Sequence, residues 1–569
     1  MLPRLALLLV FFQRRTSALS FVLAGAAIVY LVGIDWGLPA SDTWDNDGVA
    51  PRDFLPGLVD TFTPGRYFTY PPLHLALIGL ATLPVSIVAL AKAPSFVTSD
   101  VIGEFIRVPY MTIDAVVSRL LSAAMAVGIV ASAAAIAREL AGRRAEVVSA
   151  LVVATNSVLV YYAHTTNLDV PYLFWSLLAL AQLVRALCRD EPRRLRAVGL
   201  FAACAITTKD QAYALFGLTL PLLVGAWAWQ GRERARAVLR EAAVAAAVGA
   251  GLVLVIDGAL FNPRGFAARL DFLAGHASQD YANYAASWYG RLKVLRDAVL
   301  AFPRYYPVLL APFLVLGLAR VASAWRASDR RHALAWIVVP LAALSFTVLF
   351  NFAARRTEER FVLPQMILCG VLAGLGIDQF VERLGARKRI FAWTLAGAVI
   401  AWSAFLCLGV DAHFITDPRY AAEAWLDAHV APGDVIVVHG HNVYLPRLPA
   451  AARAIRLGVE PVRARGPLPE LEEVEGPLSE AVSLAPRFIV FGDGWAWRFR
   501  PETGAGAGDA APVVRAVWAD EASTAYLRDL LEGRLGYRLV FRASFASPIW
   551  RRLDIHKSIG QDCFILERS

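Results

Sequence analysis

The chain has 569 residues, 57% of them hydrophobic and 18% charged, with a mean hydropathy of +0.51 and a formal net charge of +9. That balance excludes an ordinary soluble domain and places the chain with polytopic membrane proteins. Its arginines fall in short clusters between apolar runs, as topology signals do, so the positive charge is no nucleic-acid footprint.

The first segment, MLPRLALLLVFFQRR, runs into a second apolar stretch without a small-residue cleavage site, and is expected to be an uncleaved anchor region. Ala18–Ile34 is long enough to span a tilted or thinned bilayer, and Arg14 and Arg15 put its N-terminal side in the cytoplasm. The loop Ser41–Leu73 is then outside. It holds Asp42, Asp45, Asp47, Asp53 and Asp60 among Pro, Gly and aromatic residues. Asp and Asn favour turns for local reasons, but carboxylates at a membrane surface are costly without a partner and usually functional.

Leu73–Ala91 and Leu120–Ala137 follow, before the basic turn Arg138, Arg143, Arg144. Only one crossing fits between an outer loop and an inner turn. Pro84 interrupts Leu73–Ala91, which is expected to lie along or dip into the outer face. Val147–Tyr162 returns outward to HTTNLD (His164–Asp169), and Val170–Leu187 goes inward. Ala197–Trp229 starts and ends at basic clusters, so it reads as a hairpin whose turn, TTKDQ, lies at the outer leaflet. Ala242–Phe261, Val299–Val321, His332–Phe352, Phe361–Phe380 and Phe391–Val410 bring the total to about eleven crossings.

The composition changes at Asp411. Residues 1–410 read as a membrane domain with a first outer loop over 35–110, and 411–569 as an extracytoplasmic α/β domain. The pattern predicts helices over Arg419–His429 and Glu521–Arg534. It predicts strands over Val435–His439, Arg487–Phe491, Tyr537–Arg542 and Cys563–Glu567, with Pro461–Pro486 and Gly504–Pro512 as loops. His439 and His441 read as satisfied or solvated, not as a metal site. Cys188, Cys204, Cys369, Cys407 and Cys563 are scattered, giving neither a disulfide framework nor a CxxC site.

This topology brings three polar groups to one surface: Asp45-Asn46-Asp47, Asp169, and AARRTEER (Ala353–Arg360). Glu358 and Glu359 can neutralise two of the three outer arginines locally. Arginines there nonetheless run against the positive-inside tendency and, with Lys209 of TTKDQ, suggest a lipid phosphate. Carboxylates beside such cations suit transfer of a sugar from a polyprenyl phosphate. A base deprotonates an acceptor hydroxyl and cations stabilise the departing phosphate. No P-loop, GxSxG or HExxH points elsewhere. The rival class is a lipid or saccharide transporter or flippase, which calls for inverted repeats and charges deep in several helices.

The order of DND (Asp45–Asp47), YPPLHLAL (Tyr70–Leu77), SRLLSA (Ser118–Ala123), ARELAGRR (Ala137–Arg144), HTTNLDVPYLFW (His164–Trp175), TTKDQA (Thr207–Ala212) and ERFVLP (Glu359–Pro364) resembles the GT-C membrane glycosyltransferases. The likeness is to glycosyltransferase family 39, with its protein O-mannosyltransferase and aminoarabinose-transferase relatives. It covers roughly Leu19–Val410. It implies a polytopic helical GT-C fold with an outer-face juxtamembrane helix. It also implies an inverting glycosyltransferase, hexosyl- or pentosyl-transferring, that uses a polyprenyl-phosphate-sugar donor and a lipid, glycan or protein acceptor. The implied place is the inner membrane, with the N-terminus cytoplasmic and the C-terminal domain periplasmic.

Asp47 takes the position of the family's catalytic base, with Asp45 as competitor because Gly48 replaces the usual Glu after it. Asp169 matches the second acidic position. Lys209, Arg355, Arg356, Arg360 and Tyr70 are expected at the donor phosphate, although many relatives have a lysine or other polar residue where Tyr70 stands. His164, Asn167 and His74 are expected in the sugar or acceptor pocket. Some relatives bind a divalent metal and others do not, so the resemblance leaves the metal open.

Overall fold

The structure is a computed structural model that describes residues 18–45, 48–49, 54–275, 284–327, 329–356, 358–384, 386–458, 471–499, 521–547, 549–550 and 558–569. Among these, eight helices are long and apolar enough to cross a membrane. They include Asp169–Arg189, Arg232–Ile256, Val308–Ala327 and Glu359–Arg383, and Ala18–Val29 adds a shorter apolar helix. The longest, Val108–Ala154, changes direction at Gly142, whose φ of 84° suits a residue without a Cβ. Its two arms are the second and third expected crossings, with Arg143 and Arg144 at the turn.

Leu73–Ala81 and Leu83–Lys92 meet at 74°. At 9 and 10 residues, each is only about 15 Å long, too short to span alone. Pro84 sits in the first turn of the second helix, where its missing N–H costs nothing. This agrees with a segment that does not cross. The first arm of the expected hairpin, Leu195–Ile206, is also short at 12 residues. It is followed by the span Asp210–Ala228.

Small residues let the helices approach closely. Glu359–Arg383 lies at the centre of the bundle. A Cβ on Gly376 would stand 1.8 Å from the carbonyl oxygen of Phe313, and one on Gly317 1.9 Å from that of Leu372. Gly376→Leu is therefore expected to push two backbones apart at a cost of about 1–3 kcal/mol or more. Thermal unfolding in detergent should show a clearly lower midpoint, and an unchanged one would contradict this packing. Two residues past Gly376 on the same helix, buried Asp378 takes Arg144 and Arg320, the latter at 2.6 Å. One of the basic clusters read as a topology signal thus also anchors three helices.

The C-terminal part contains a six-stranded sheet of order β3-β2-β1-β4-β6-β5. Its strands are β1 (Val435–His439), β2 (Arg453–Gly458), β3 (Glu472–Glu475), β4 (Phe488–Gly492), β5 (Tyr537–Ala543) and β6 (Cys563–Arg568). The first four run parallel, and β6 and β5 are antiparallel. Side chains alternate along β1: Ile436 and Val438 pack on helix Pro418–His429, Val437 with helix Glu521–Leu531 on the other face.

Two strands were not foreseen. β2 and β3 carry charges that pair across the sheet, Arg453 with Glu472 at 2.8 Å and Arg456 with Glu473 at 3.5 Å, which hides their pattern. β3 falls inside the stretch expected to be a loop over Pro461–Pro486. The expected loop Gly504–Pro512 lies outside the described residues.

Candidate active site

The three polar groups singled out in the sequence converge on Tyr161 and Tyr162, at the end of helix Ser157–Ala163. The Tyr162 hydroxyl donates to Glu359 at 3.4 Å, and the charges of Glu359, Asp169 and Arg360 all act on it. Those of Asp45, Glu359 and Arg419 act on Tyr161. The tyrosine pair thus sits between the first outer loop, HTTNLD and the RRTEER turn.

HTTNLD shapes itself. The Asn167 side-chain oxygen accepts the Asp169 N–H at 2.9 Å, a local turn that sets Asp169 at the start of helix Asp169–Arg189. Asp169 is fully buried. Its Oδ1 accepts from Lys209 Nζ at 2.7 Å and Gln211 Nε2 at 3.3 Å. Its Oδ2 has no hydrogen-bond partner among the described residues. Lys209 stands in extended backbone just before a short helical turn, its ammonium 5.9 Å from the Tyr172 ring centre. The turn is held from two sides. Leu73 N–H donates to the Thr207 carbonyl at 3.0 Å, and Arg269 grips both oxygens of Asp210 at 2.6 Å. Arg269 also reaches Asp257 at 3.5 Å and the Thr69 carbonyl at 3.4 Å.

Asp45 has both oxygens engaged. Oδ1 accepts from Arg119 at 2.8 Å with both side chains fully buried, and Oδ2 takes the Thr166 N–H at 2.6 Å. Arg119 continues to the carbonyls of Ile34 and Trp36, at 2.9 and 2.7 Å. Gly48 follows so closely on Thr166 that a Cβ there would lie 2.5 Å from its Oγ1. This glycine serves close approach, since its φ is not in the left-handed region. Asn46 and Asp47 lie outside the described residues.

The remaining expected residues divide. Arg355, left-handed at φ 53°, turns to the Tyr284 carbonyl at 2.9 Å. Arg356 and Arg360 lie over the Phe361 ring, at 5.5 and 4.7 Å, and Arg360 is 3.7 Å from Glu358. Tyr70 is half-buried beside Phe68, in the cluster of Val49, Leu75 and Leu168. His164 sets its ring nitrogens against the carbonyls of Val160 and Val32, at 2.7 and 2.9 Å, and its ring on Phe414. That makes it a strut between helices. His74 is buried, with no hydrogen-bond partner among the described residues.

Sequence reasoning gave no role to Arg119, the tyrosine pair, Arg269 or Arg419. Arg419 is buried with Asp417 at 2.7 Å, lies 3.8 Å over Trp44, and donates to the Ser558 carbonyl at 2.7 Å. Asp417 in turn accepts from the Trp36 indole at 3.0 Å, so the sheet domain is fastened to the first outer loop. An arginine within an otherwise apolar stretch was the available signal for Arg119.

Among the described residues no three His, Cys, Asp or Glu side chains converge as a metal site. Both Asp45 oxygens are engaged by Arg119 and the Thr166 N–H, and Asp169 is paired with Lys209. His439 is buried between the Leu457 carbonyl at 3.1 Å and the Tyr526 hydroxyl at 3.0 Å, and burial pulls its pKa down to about 4. It is a satisfied, neutral histidine.

Residues 111–256 match the family model of dolichyl-phosphate-mannose-protein mannosyltransferases. No curated protein matches the chain. Among solved structures, ArnT from Cupriavidus metallidurans bound to undecaprenyl phosphate is 16% identical, covering 86% of this chain and 96% of that one, with a TM-score of 0.47. The archaeal oligosaccharyltransferase AglB from Archaeoglobus fulgidus, in complex with an inhibitory peptide and a dolichol-phosphate, is 12% identical over 75% of this chain and 62% of that one, at 0.44. The protein O-mannosyltransferase Pmt1-Pmt2 complex of S. cerevisiae bound to the sugar donor gives 18% over 43% and 33%, at 0.28. The family match spans Arg119, Tyr161, Tyr162, Asp169 and Lys209 together, the residues that build the site in this multi-pass protein.

Proposed function

We propose that the protein moves a sugar, hexose or pentose, from a polyprenyl-phosphate-linked donor to an acceptor hydroxyl at the outer face of the inner membrane. The observation that carries the reading is the buried Asp169–Lys209 pair, and Ile206, just before Lys209 in the chain, lines an apolar groove of about 620 Å³. The groove lies between helices Leu195–Ile206, Thr219–Ala228 and Arg232–Ile256, lined by Ala202, Ile206, Phe216, Leu220, Val224 and Gly249. Ile206 is three residues before Lys209. A polyprenyl tail suits such a wall, with its phosphate brought level with Lys209 and, from the RRTEER side, Arg356 and Arg360.

The chemistry follows from these roles. Asp47 takes the proton of the acceptor hydroxyl, whose oxygen attacks the anomeric carbon with inversion. The bond from that carbon to the phosphate oxygen breaks, and the phosphate keeps the electron pair on its lipid. Lys209 and Arg360 stabilise the charge gathering there. Asp169 sets Lys209 in place, and Asp45 anchors the loop that bears Asp47. Purified protein given a polyprenyl-phosphate sugar should release polyprenyl phosphate only when transfer occurs. Failure to bind any such donor would overturn the proposal.

The N-terminus is assigned to the cytoplasm and the sheet domain to the periplasm. Ser95→Cys, just past helix Leu83–Lys92, should then react with a membrane-impermeant thiol reagent added outside intact cells, whereas Arg143→Cys should not. The reverse pattern would invert the orientation.

A further inference from the structure

The first outer loop and the sheet domain enclose a cavity of about 490 Å³, within the roughly 300–1,000 Å³ range of small-molecule sites. One wall is Pro39–Asp42 with Trp44, and the other is Asn442 with Leu445–Ala450. The Asn442 amide donates to Asp42 at 3.3 Å across the mouth between them. The Asn442 wall follows the C-terminal end of β1, between neighbours β2 and β4, where the chain connections run in opposite directions. Open parallel sheets bind ligands at such switch points. The opposite wall is the loop whose Asp45, three residues past Asp42, is locked to Arg119.

We infer that this cavity holds the acceptor, and that the acceptor is a neutral saccharide; the inference rests on the transferase reading above. The lining offers a carboxylate, an amide, a guanidinium and backbone carbonyls beside Pro446, Leu448 and Pro449. That is a mixture suited to sugar hydroxyls on one side and ring faces on the other. The lining's guanidinium is already paired, because Arg447 is gripped by Glu423 through two donors, at 2.8 Å to Oε1 and 2.5 Å to Oε2. A phosphorylated acceptor would need an excess of cations, which this wall lacks. A peptide would bind most simply by adding a strand, but β1 lies inside the sheet and the cavity offers no strand edge.

The test uses the full chain in native membranes, with a polyprenyl-phosphate radiolabelled sugar as donor and the membrane's own acceptors. Exposed Ala450 is replaced in Ala450→Cys and modified with methanethiosulfonates of increasing size, the unsubstituted protein serving as control for its own cysteines. Transfer should fall stepwise, at least tenfold with the bulkiest group, and return on reduction, while donor binding stays constant. Mass spectrometry should find the label on a glycan hydroxyl. Undiminished transfer with the cavity filled overturns the site, and label on Ser or Thr of a protein overturns the saccharide. If the donor binds in no arm, the transferase reading itself falls, an outcome distinct from either.

Discussion

Asp47→Asn should lower sugar transfer by about 10²–10⁴-fold, the usual contribution of a general base, while leaving donor binding largely unchanged. The substitution keeps size and most hydrogen bonding and removes only the capacity to take a proton. Asp45→Asn makes the informative contrast. Asp45 is buried, accepts from Arg119 and the Thr166 amide, and so has neither exposure nor a spare oxygen for a substrate proton. Removing its charge strands Arg119 in the interior, at a cost of about 3–5 kcal/mol for a broken buried pair. It should therefore lower the melting temperature and activity together. Asp47→Asn should lower activity at a normal melting temperature. Thermal unfolding alongside a transfer assay separates the two. Full turnover in Asp47→Asn, with turnover lost at normal stability in Asp45→Asn, would exchange the roles.

What could be read from sequence follows from the range of the forces involved. HTTNLD and TTKDQ announce themselves, because polar residues that interrupt apolar runs are costly in a membrane and so carry meaning locally. The elements of the bundle and most of the sheet are legible from hydropathy and alternation for the same reason. Partnership is not local. Arg119 finds Asp45 across 74 residues, and Lys209 finds Asp169 across 40. Nothing in either segment names the other. Tyr161 and Tyr162 look like ordinary apolar residues at a helix end. Their value lies in what three distant segments bring to their hydroxyls. His164 shows the opposite error: a histidine in a polar motif looked like a pocket residue, yet its ring is spent on two backbone carbonyls and Phe414. Strands β2 and β3 were missed because cross-strand ion pairs replaced the apolar alternation by which strands are recognised.

The Lys209–Asp169 pair admits two explanations that a double-mutant cycle separates. If Lys209 exists only to neutralise a buried carboxylate, Lys209→Met should destabilise the protein, and adding Asp169→Leu should restore both stability and donor affinity. Replacing both partners of a buried pair by apolar groups is often neutral or better. If Lys209 holds the donor phosphate, the double variant recovers its melting temperature but not its affinity. The loss of one charge-assisted contact, about 1.5–3 kcal/mol, leaves binding of a polyprenyl-phosphate sugar roughly 10–150-fold weaker. Asp169→Asn alone should then be intermediate. It keeps an oxygen for Lys209 and Gln211, but loosens the ammonium's position and lets it drift from the phosphate. Turnover should fall more than donor affinity in that variant, because positioning matters most as charge builds on the leaving phosphate. Isothermal calorimetry with a short-chain polyprenyl-phosphate sugar, read beside the melting curves, distinguishes the outcomes. Full recovery of affinity in Lys209→Met/Asp169→Leu would reduce the pair to a structural one and move the phosphate site to the RRTEER turn.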